Sequence, residues 1–340
     1  MPNRARVTIR DVAERVGVHP STVSRVLNPA TRGRITSEIV EKVTAAAAEL
    51  GYRPNQAARG LRTNRTRSIG VLIPDITTPL FPPIIRGIED ALGANGYSAI
   101  LGNTDNIPSR EREAVATMRS RQIDGLILAT ARRDDPIVAE CIADGLPLVL
   151  VNRTADADGV SSIVNDDALG IALAVRHLKS LGHTRIAHIA GPRSLSTGEA
   201  RRRSFLEVME AEGLDADPAL IAETTAFSED EGLLAAAQLI AGGLRFTAIV
   251  AANDLIALGA YEALADADLK CPDDVSVTGF NDMPFVDRLS PPLTTVRIPH
   301  YELGREAGRR LVDLIENPNT PARATMLRPD LIVRGSTVKV

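Results

Sequence analysis

The sequence predicts an N-terminal all-α helix-turn-helix headpiece followed by an α/β body of two parallel-sheet lobes. Three observations carry this. Residues 1–67 hold 13 Lys and Arg against 5 Asp and Glu, and the rest of the chain holds 26 against 38, so an arm of net +8 precedes a body of net −12. Short helical patterns flank a glycine within the arm. Beyond residue 68, apolar runs alternate with amphipathic helices. A chain of 340 residues has room for two or three domains with real cores.

The first helix opens at "TIRDVAERVG", where Thr8 and Asp11 stand at capping-box spacing and Val12, Ala13 and Val16 make an apolar stripe. Gly17 punctuates the turn. A second helix starts at Pro20, a residue tolerated in a first turn. Its Val23, Val26 and Leu27 face inward, which leaves Ser21, Ser24 and Arg25 outward. A third helix, "TSEIVEKVTAAAAELG", runs from Thr36 to Gly51 and braces the pair.

A basic unit of this shape suits the major groove of double-stranded DNA, where Arg25 can bond guanine O6 and N7. Thr8, Thr22, Ser24 and Asn28 supply short polar groups for phosphates. A solvated basic surface, or a helical bundle without a ligand, is the plainer alternative. "NQAARGLRT" then gives a helix of about two turns, too short to be stable alone and weakened by Gly60.

In the body, "SIGVLIPD", "YSAILGN", "DGLILAT", "PLVLVN", "RIAHIAG", "TAIVAAND" and "VSVTGF" read as buried strands between helices. Some 270 residues exceed one such sheet, hence two lobes. No dinucleotide fingerprint, phosphate loop or nucleophile elbow occurs. The five histidines offer no zinc spacing, and His177 and His183 read as structural. Cys141 and Cys271 read as reduced thiols. An enzyme, a cofactor and a metal are therefore not expected. With no export-type segment and no run of 18 apolar residues, a cytoplasmic protein without membrane contact is.

The stretches "TIRDVAERVGVHPSTVSRVLN" and "LGYRPNQAARGLRTNRT" resemble the headpiece and hinge of the lactose/galactose-repressor family, and the likeness continues along nearly the whole chain. It implies that Pro20, Ser21 and Arg25 read bases, and that Ala58 and Leu61 belong to a hinge folding on operator DNA, Leu61 as a minor-groove wedge. His19 departs from the family's usual serine cap, and the loop "NPATRGRIT" looks longer than usual.

The likeness also implies a periplasmic-binding-protein-like body, in which a small sugar or sugar-like effector sits where the strand ends of two lobes face one another. The expected divisions are a headpiece 1–53, a hinge 54–67, a first lobe 68–163 with 292–325, and a second lobe 164–291 with 326–340. Phe81, Arg153, Asp166, Arg201, Phe227, Asn253 and Asn281 fall at effector positions. Phe81 and Phe227 could instead be core aromatics, Arg202 or Arg203 could replace Arg201, and Asp166 could cap the next helix.

Many family members carry aspartate where Asn281 stands. With Arg132, Arg133 and Arg193 nearby, this points to an acidic sugar. A homodimer on a two-fold operator follows from the family, and no leucine-heptad tail suggests a tetramer. The expected function is repression of carbohydrate-utilisation genes. A protein corepressor, known for some relatives, and a sugar-binding transport component without DNA function are the other readings.

Overall fold

A computed structural model of the chain describes residues 7–27, 29–52, 65–243 and 245–340. Residues up to 66 and from 67 onward form separate units. The first begins with α1 (Ile9–Val16), α2 (Pro20–Val26), α3 (Pro29–Arg32) and α4 (Ser37–Glu49). The Thr8 amide donates to Asp11 Oδ2 at 2.7 Å, closing a reciprocal capping box. Gly17 then ends α1 at φ 76°, the left-handed conformation that glycine takes without a steric cost. Val12, Ala13, Val23, Val26, Val40, Val43, Ala46 and Ala47 close a small core.

The expected loop after Leu27 contains α3, and the Thr31 hydroxyl donates to Arg25 O at 2.9 Å. Asn28, Ala58 and Leu61, with most of the hinge, lie outside the described residues.

The second unit alternates strand and helix: β1 (Ser68–Ile73), α5 (Phe81–Ala94), β2 (Ser98–Asn103), α6 (Pro108–Ser120), β3 (Gly125–Leu128), α7 (Pro136–Ala143), β4 (Leu148–Val151) and β5 (Ser161–Asn165). The chain then enters a second lobe through α8 (Asp167–Ser180), β6 (Ile186–Ala190), α9 (Ser196–Ala211), β7 (Ile221–Glu223), α10 (Glu229–Ala241), β8 (Ala248–Ala251), α11 (Asp254–Asp266), β9 (Ser276–Asn281) and β10 (Thr294–Arg297). It returns through α12 (His300–Glu316) and β11 (Ala324–Leu327) and ends beyond β12 (Asp330–Ile332).

The first sheet has the order β11-β5-β4-β3-β1-β2 and the second β12-β10-β9-β8-β6-β7. All pairs run parallel except β10 with β12. Strands β3, β4 and β8 are buried throughout, which is why they read as unbroken apolar runs.

This topology moves one expected boundary. The segment 294–297, assigned from sequence to the first lobe, pairs with β9 in the second sheet, so the return crossing follows Arg297 rather than residue 291. Strand β5 also extends to Asn165 and β11 to Leu327. After the return, α12 packs on α5 at Gly87 and Gly304, where a Cβ on either would collide with the other helix's backbone.

Candidate functional site

In α2, Ser21 and Arg25 are exposed and Thr22 and Ser24 half-buried, over buried Val23 and Val26. Among the described residues, Arg25 has no ion pair. His19, in place of the family's usual serine, caps α2: Nδ1 accepts the Ser21 amide proton at 3.2 Å and lies 2.8 Å from Ser21 Oγ. An accepting Nδ1 means that the neutral ring carries its proton on Nε2. The Thr8 hydroxyl donates to Asp11 Oδ2 at 2.9 Å, so its proton is engaged in the cap.

Within the second unit, a cavity of about 240 Å³ lies between the lobes. Its walls include Phe81, Arg153, Arg201, Phe227, Asn253 and Asn281. Each sits where a strand gives way to a loop or helix, or on a helix facing that gap. Phe81 is buried at the first position of α5. Asn253 caps α11, its Oδ1 accepting the Ile256 amide at 2.9 Å, which leaves its Nδ2 to donate. Asn281 ends β9 at φ 111°, and its buried Oδ1 has no hydrogen-bond partner among the described residues. Phe227 is half-buried beside Gly191, where a side chain would strike its ring.

Arg201 is 2% exposed. Its Nε donates to Asp167 Oδ1 at 2.9 Å and its Nη1 to Ala252 O at 2.7 Å, and its guanidinium lies 3.7 Å from the Phe280 ring centroid. The neighbours turn elsewhere: Arg202 lies within ion-pair distance of Glu223 and Arg203 of Glu207.

Arg153, 6% exposed, bonds neutral groups, Asn106 Oδ1 at 3.2 Å and Thr130 O at 3.4 Å. Burial pulls its pKa down to about 10, which still leaves it cationic at neutral pH, and Glu111 opposes the shift from beyond ion-pair distance. Burial raises the pKa of Glu111 itself.

Two expectations are corrected. Asp166 does not line this cavity. Its Oδ1 accepts the Leu169 amide at 2.9 Å as the cap of α8, because the crossing from β5 puts it directly before that helix, and it faces a neighbouring cavity. Of the three additional arginines, only Arg132 lines the cleft, where Nη2 donates to Asn106 O at 2.8 Å. Arg133 pairs with Asp156 at 3.0 Å and Arg193 with Glu199 at 2.9 Å.

Sequence reasoning passed over Asp75, Asn106, Asn152 and Thr197 in the same wall. Asn106 had a usable signal: asparagine before a helix start readily takes the left-handed backbone it shows, φ 57°. Asp254 was also missed. It is fully buried, accepts from Thr295 Oγ1 at 2.5 Å and from the Met283 amide at 2.7 Å, and so fixes the turn that follows Asn281. Burial lifts its pKa to about 7. Two bonds cross between the lobes at the cleft's edge, Arg133 N–H to Ser194 O at 3.1 Å and Thr154 N–H to Ser196 Oγ at 2.8 Å.

The lacI family of bacterial regulatory proteins matches residues 8–55, and the periplasmic binding protein-like domain matches residues 175–337. The ribose operon repressor of Escherichia coli K12 is 36% identical over 333 residues, 97% of this chain and 99% of that protein. The structure of the Lac repressor dimer bound to operator and the anti-inducer ONPF superposes with a TM-score of 0.86 at 28% identity, covering 98% of this chain and 99% of that one. A LacI family transcriptional regulator from Enterococcus faecium with bound ribose gives 0.70 at 31% identity, covering 80% and 99%. A helix-turn-helix headpiece on a two-lobed parallel-sheet body, matched over nearly its full length, makes this chain a transcriptional repressor belonging to the lacI family of bacterial regulatory proteins.

Proposed function

We propose that this protein represses carbohydrate-utilisation genes as a cytoplasmic homodimer on a two-fold operator, under control of a small anionic, polyhydroxylated effector in the cleft. Pro20, Ser21 and Arg25 read the major groove, Thr22, Ser24 and Asn28 hold phosphates, with Thr8 joining them only where phosphate displaces Asp11 from its hydroxyl, and Ala58 and Leu61 engage the minor groove. The observation that carries the effector reading is Arg153, a buried guanidinium with no carboxylate within ion-pair distance among the described residues. Arg132 beside it is likewise without an ion pair among them. Phe81 and Phe227 offer ring faces, and Asn253, Asn281 and Arg201 offer groups for hydroxyls.

Effector binding draws the lobes together and shifts the first lobes across the dimer. The changed hinge spacing couples the two sites by roughly 1–3 kcal/mol. A neutral sugar is the second reading, favoured by the ribose bound to the Enterococcus faecium relative. A thermal-shift panel of neutral sugars, uronates and sugar phosphates tests the choice. A ligand at about 100 times its Kd stabilises by about 2.7 kcal/mol. A hit among acidic sugars that Arg153→Met abolishes supports the anionic reading. A neutral-sugar hit indifferent to Arg153→Met overturns it and leaves the repressor intact. Operator binding with and without the hit gives the sign of coupling, and no change there overturns the effector role in favour of a corepressor protein.

A further inference from the structure

A second cavity, of about 310 Å³, lies against the segments that carry the chain between lobes. Helix α9 forms a wall of both cavities: Thr197 and Arg201 face the cleft, and Ser196, Ala200 and Ser204 face the second cavity. Asn152 borders both.

Its wall contains amides whose hydrogen-bonding capacity is unmet. Asn165, 4% exposed at the end of β5, has no partner for Nδ2 or for Oδ1 among the described residues. Asn152, also buried, has none for Oδ1 among them. Buried polar groups rarely stay unpaired, because each then keeps the full cost of its desolvation.

Most of the charged groups around the cavity are, by contrast, already matched. Arg133 pairs with Asp156 at 3.0 Å, Asp167 with Arg201 at 2.9 Å, Glu199 with Arg193 at 2.9 Å and Arg203 with Glu207 at 3.6 Å. Asp166 accepts the cap bond of α8.

We infer that this cavity is a second ligand site, separate from the cleft, for a small neutral polyhydroxylated molecule. The Asn165 side chain needs a donor and an acceptor together, which a hydroxyl supplies. A carboxylate or phosphate dianion cannot donate, and an ammonium cannot accept. The pairing leaves Asp166 as the one wall carboxylate without an ion pair among the described residues, which disfavours an anion. A molecule seated here also touches Asp167, the ion-pair partner of cleft-lining Arg201, and the Ser196 hydroxyl that bonds the Thr154 amide across the lobes. It therefore favours the same closed arrangement that a cleft ligand does, and each ligand strengthens the other's binding.

The chain has no tryptophan, so one can be placed as a local reporter. Met326 lines the second cavity and is 62% exposed, so Met326→Trp tolerates the larger ring. The full-length variant is titrated with xylitol and with ribose up to about 100 mM, some hundredfold above a 1 mM Kd. The expected result is a saturable fluorescence change that persists when Phe227→Ala impairs the cleft. Asn165→Leu should weaken it about tenfold or more, equivalent to losing a buried hydrogen bond or two. Should Asn165→Leu fail to fold, Ala200→Phe fills the cavity from a half-exposed helix position and should abolish the change. No saturable response from either polyol means that ordered water satisfies Asn165, and overturns the proposal. A response lost in Phe227→Ala but kept in Ala200→Phe reports the cleft and overturns it equally. The titration uses no operator, and the Phe227→Ala control separates the second cavity from any ribose bound in the cleft, so its failure is distinct from failure of the repressor reading.

Discussion

Arginine is used in opposite ways by the two units. In the headpiece, Arg25 stands exposed over a core of small apolar side chains. In the body, Arg153 and Arg201 are buried at the cleft. An exposed guanidinium adds range and salt-dependent attraction to phosphate and costs the fold nothing. A buried one must be offset by partners and is sensitive to what is set against it. Removing the charge should therefore cost binding in one unit and folding in the other.

The largest effect is expected at Arg201. Arg201→Met strands the buried carboxylate of Asp167, whose pKa burial already raises. Breaking such a pair costs about 3–5 kcal/mol, to be read from urea unfolding of the body. Arg25→Ala is the counterpart. Stability should stay within about 0.5 kcal/mol. Operator affinity should fall by about 1–3 kcal/mol with relaxed preference at one base. A large stability loss for Arg25→Ala, or none for Arg201→Met, breaks the contrast.

Carboxylates sharpen it. Asp11, at the surface, has its pKa lowered by the Thr8 amide and hydroxyl, so its support is present at neutral pH and fades as pH falls through the folded value. Asp254 is the reverse. Its folded pKa of about 7 lies above its ordinary 3.8, so the folded state holds a proton that the unfolded state has lost. Between pH 4 and 7 its contribution therefore declines as pH rises. His188 and His300, both pushed down to about 4 by burial, act oppositely and favour folding more as pH rises toward 6.5. Asp254→Asn removes one of two opposing slopes. Stability between pH 4 and 7 should then rise more steeply with pH, by on the order of 2 kcal/mol across the window. An unchanged slope would show that Asp254 is ionised in the native protein.

Legibility followed the same division between local and tertiary causes. The headpiece was readable because its determinants are neighbours in sequence: Thr8 with Asp11, Gly17, Pro20, and the spacing of Val23 and Val26. Strands β3, β4 and β8 were equally plain, being apolar throughout. The short β7 and the partly exposed edge strands β11 and β12 carry no such run. Strand β10 was given to the wrong lobe because the residues that follow it do belong to the first one, and only its pairing with β9 reveals where it lies. In the cleft, Arg201 could be named from a motif, whereas Asp75 and Asn106 reach the wall only because separate loops converge there. Asp166 carried both meanings in sequence, and its bond to the Leu169 amide favours the cap.

The smallest expected effect concerns His19, which departs from the family's usual serine cap and caps α2 all the same. Imidazole is a weaker general choice than hydroxyl at a helix start. Here Nδ1 nevertheless receives the Ser21 amide, which satisfies one of the donors that α2 leaves open. His19→Ala should destabilise the headpiece by about 1 kcal/mol, and His19→Ser by less than about 0.5 kcal/mol, since the hydroxyl can take over the bond. Amide exchange in α2, compared with α4 as an internal reference, resolves differences of that size. If alanine and serine behave alike at neutral pH, the cap bond contributes nothing measurable, and α2 is held only by the burial of Val23 and Val26.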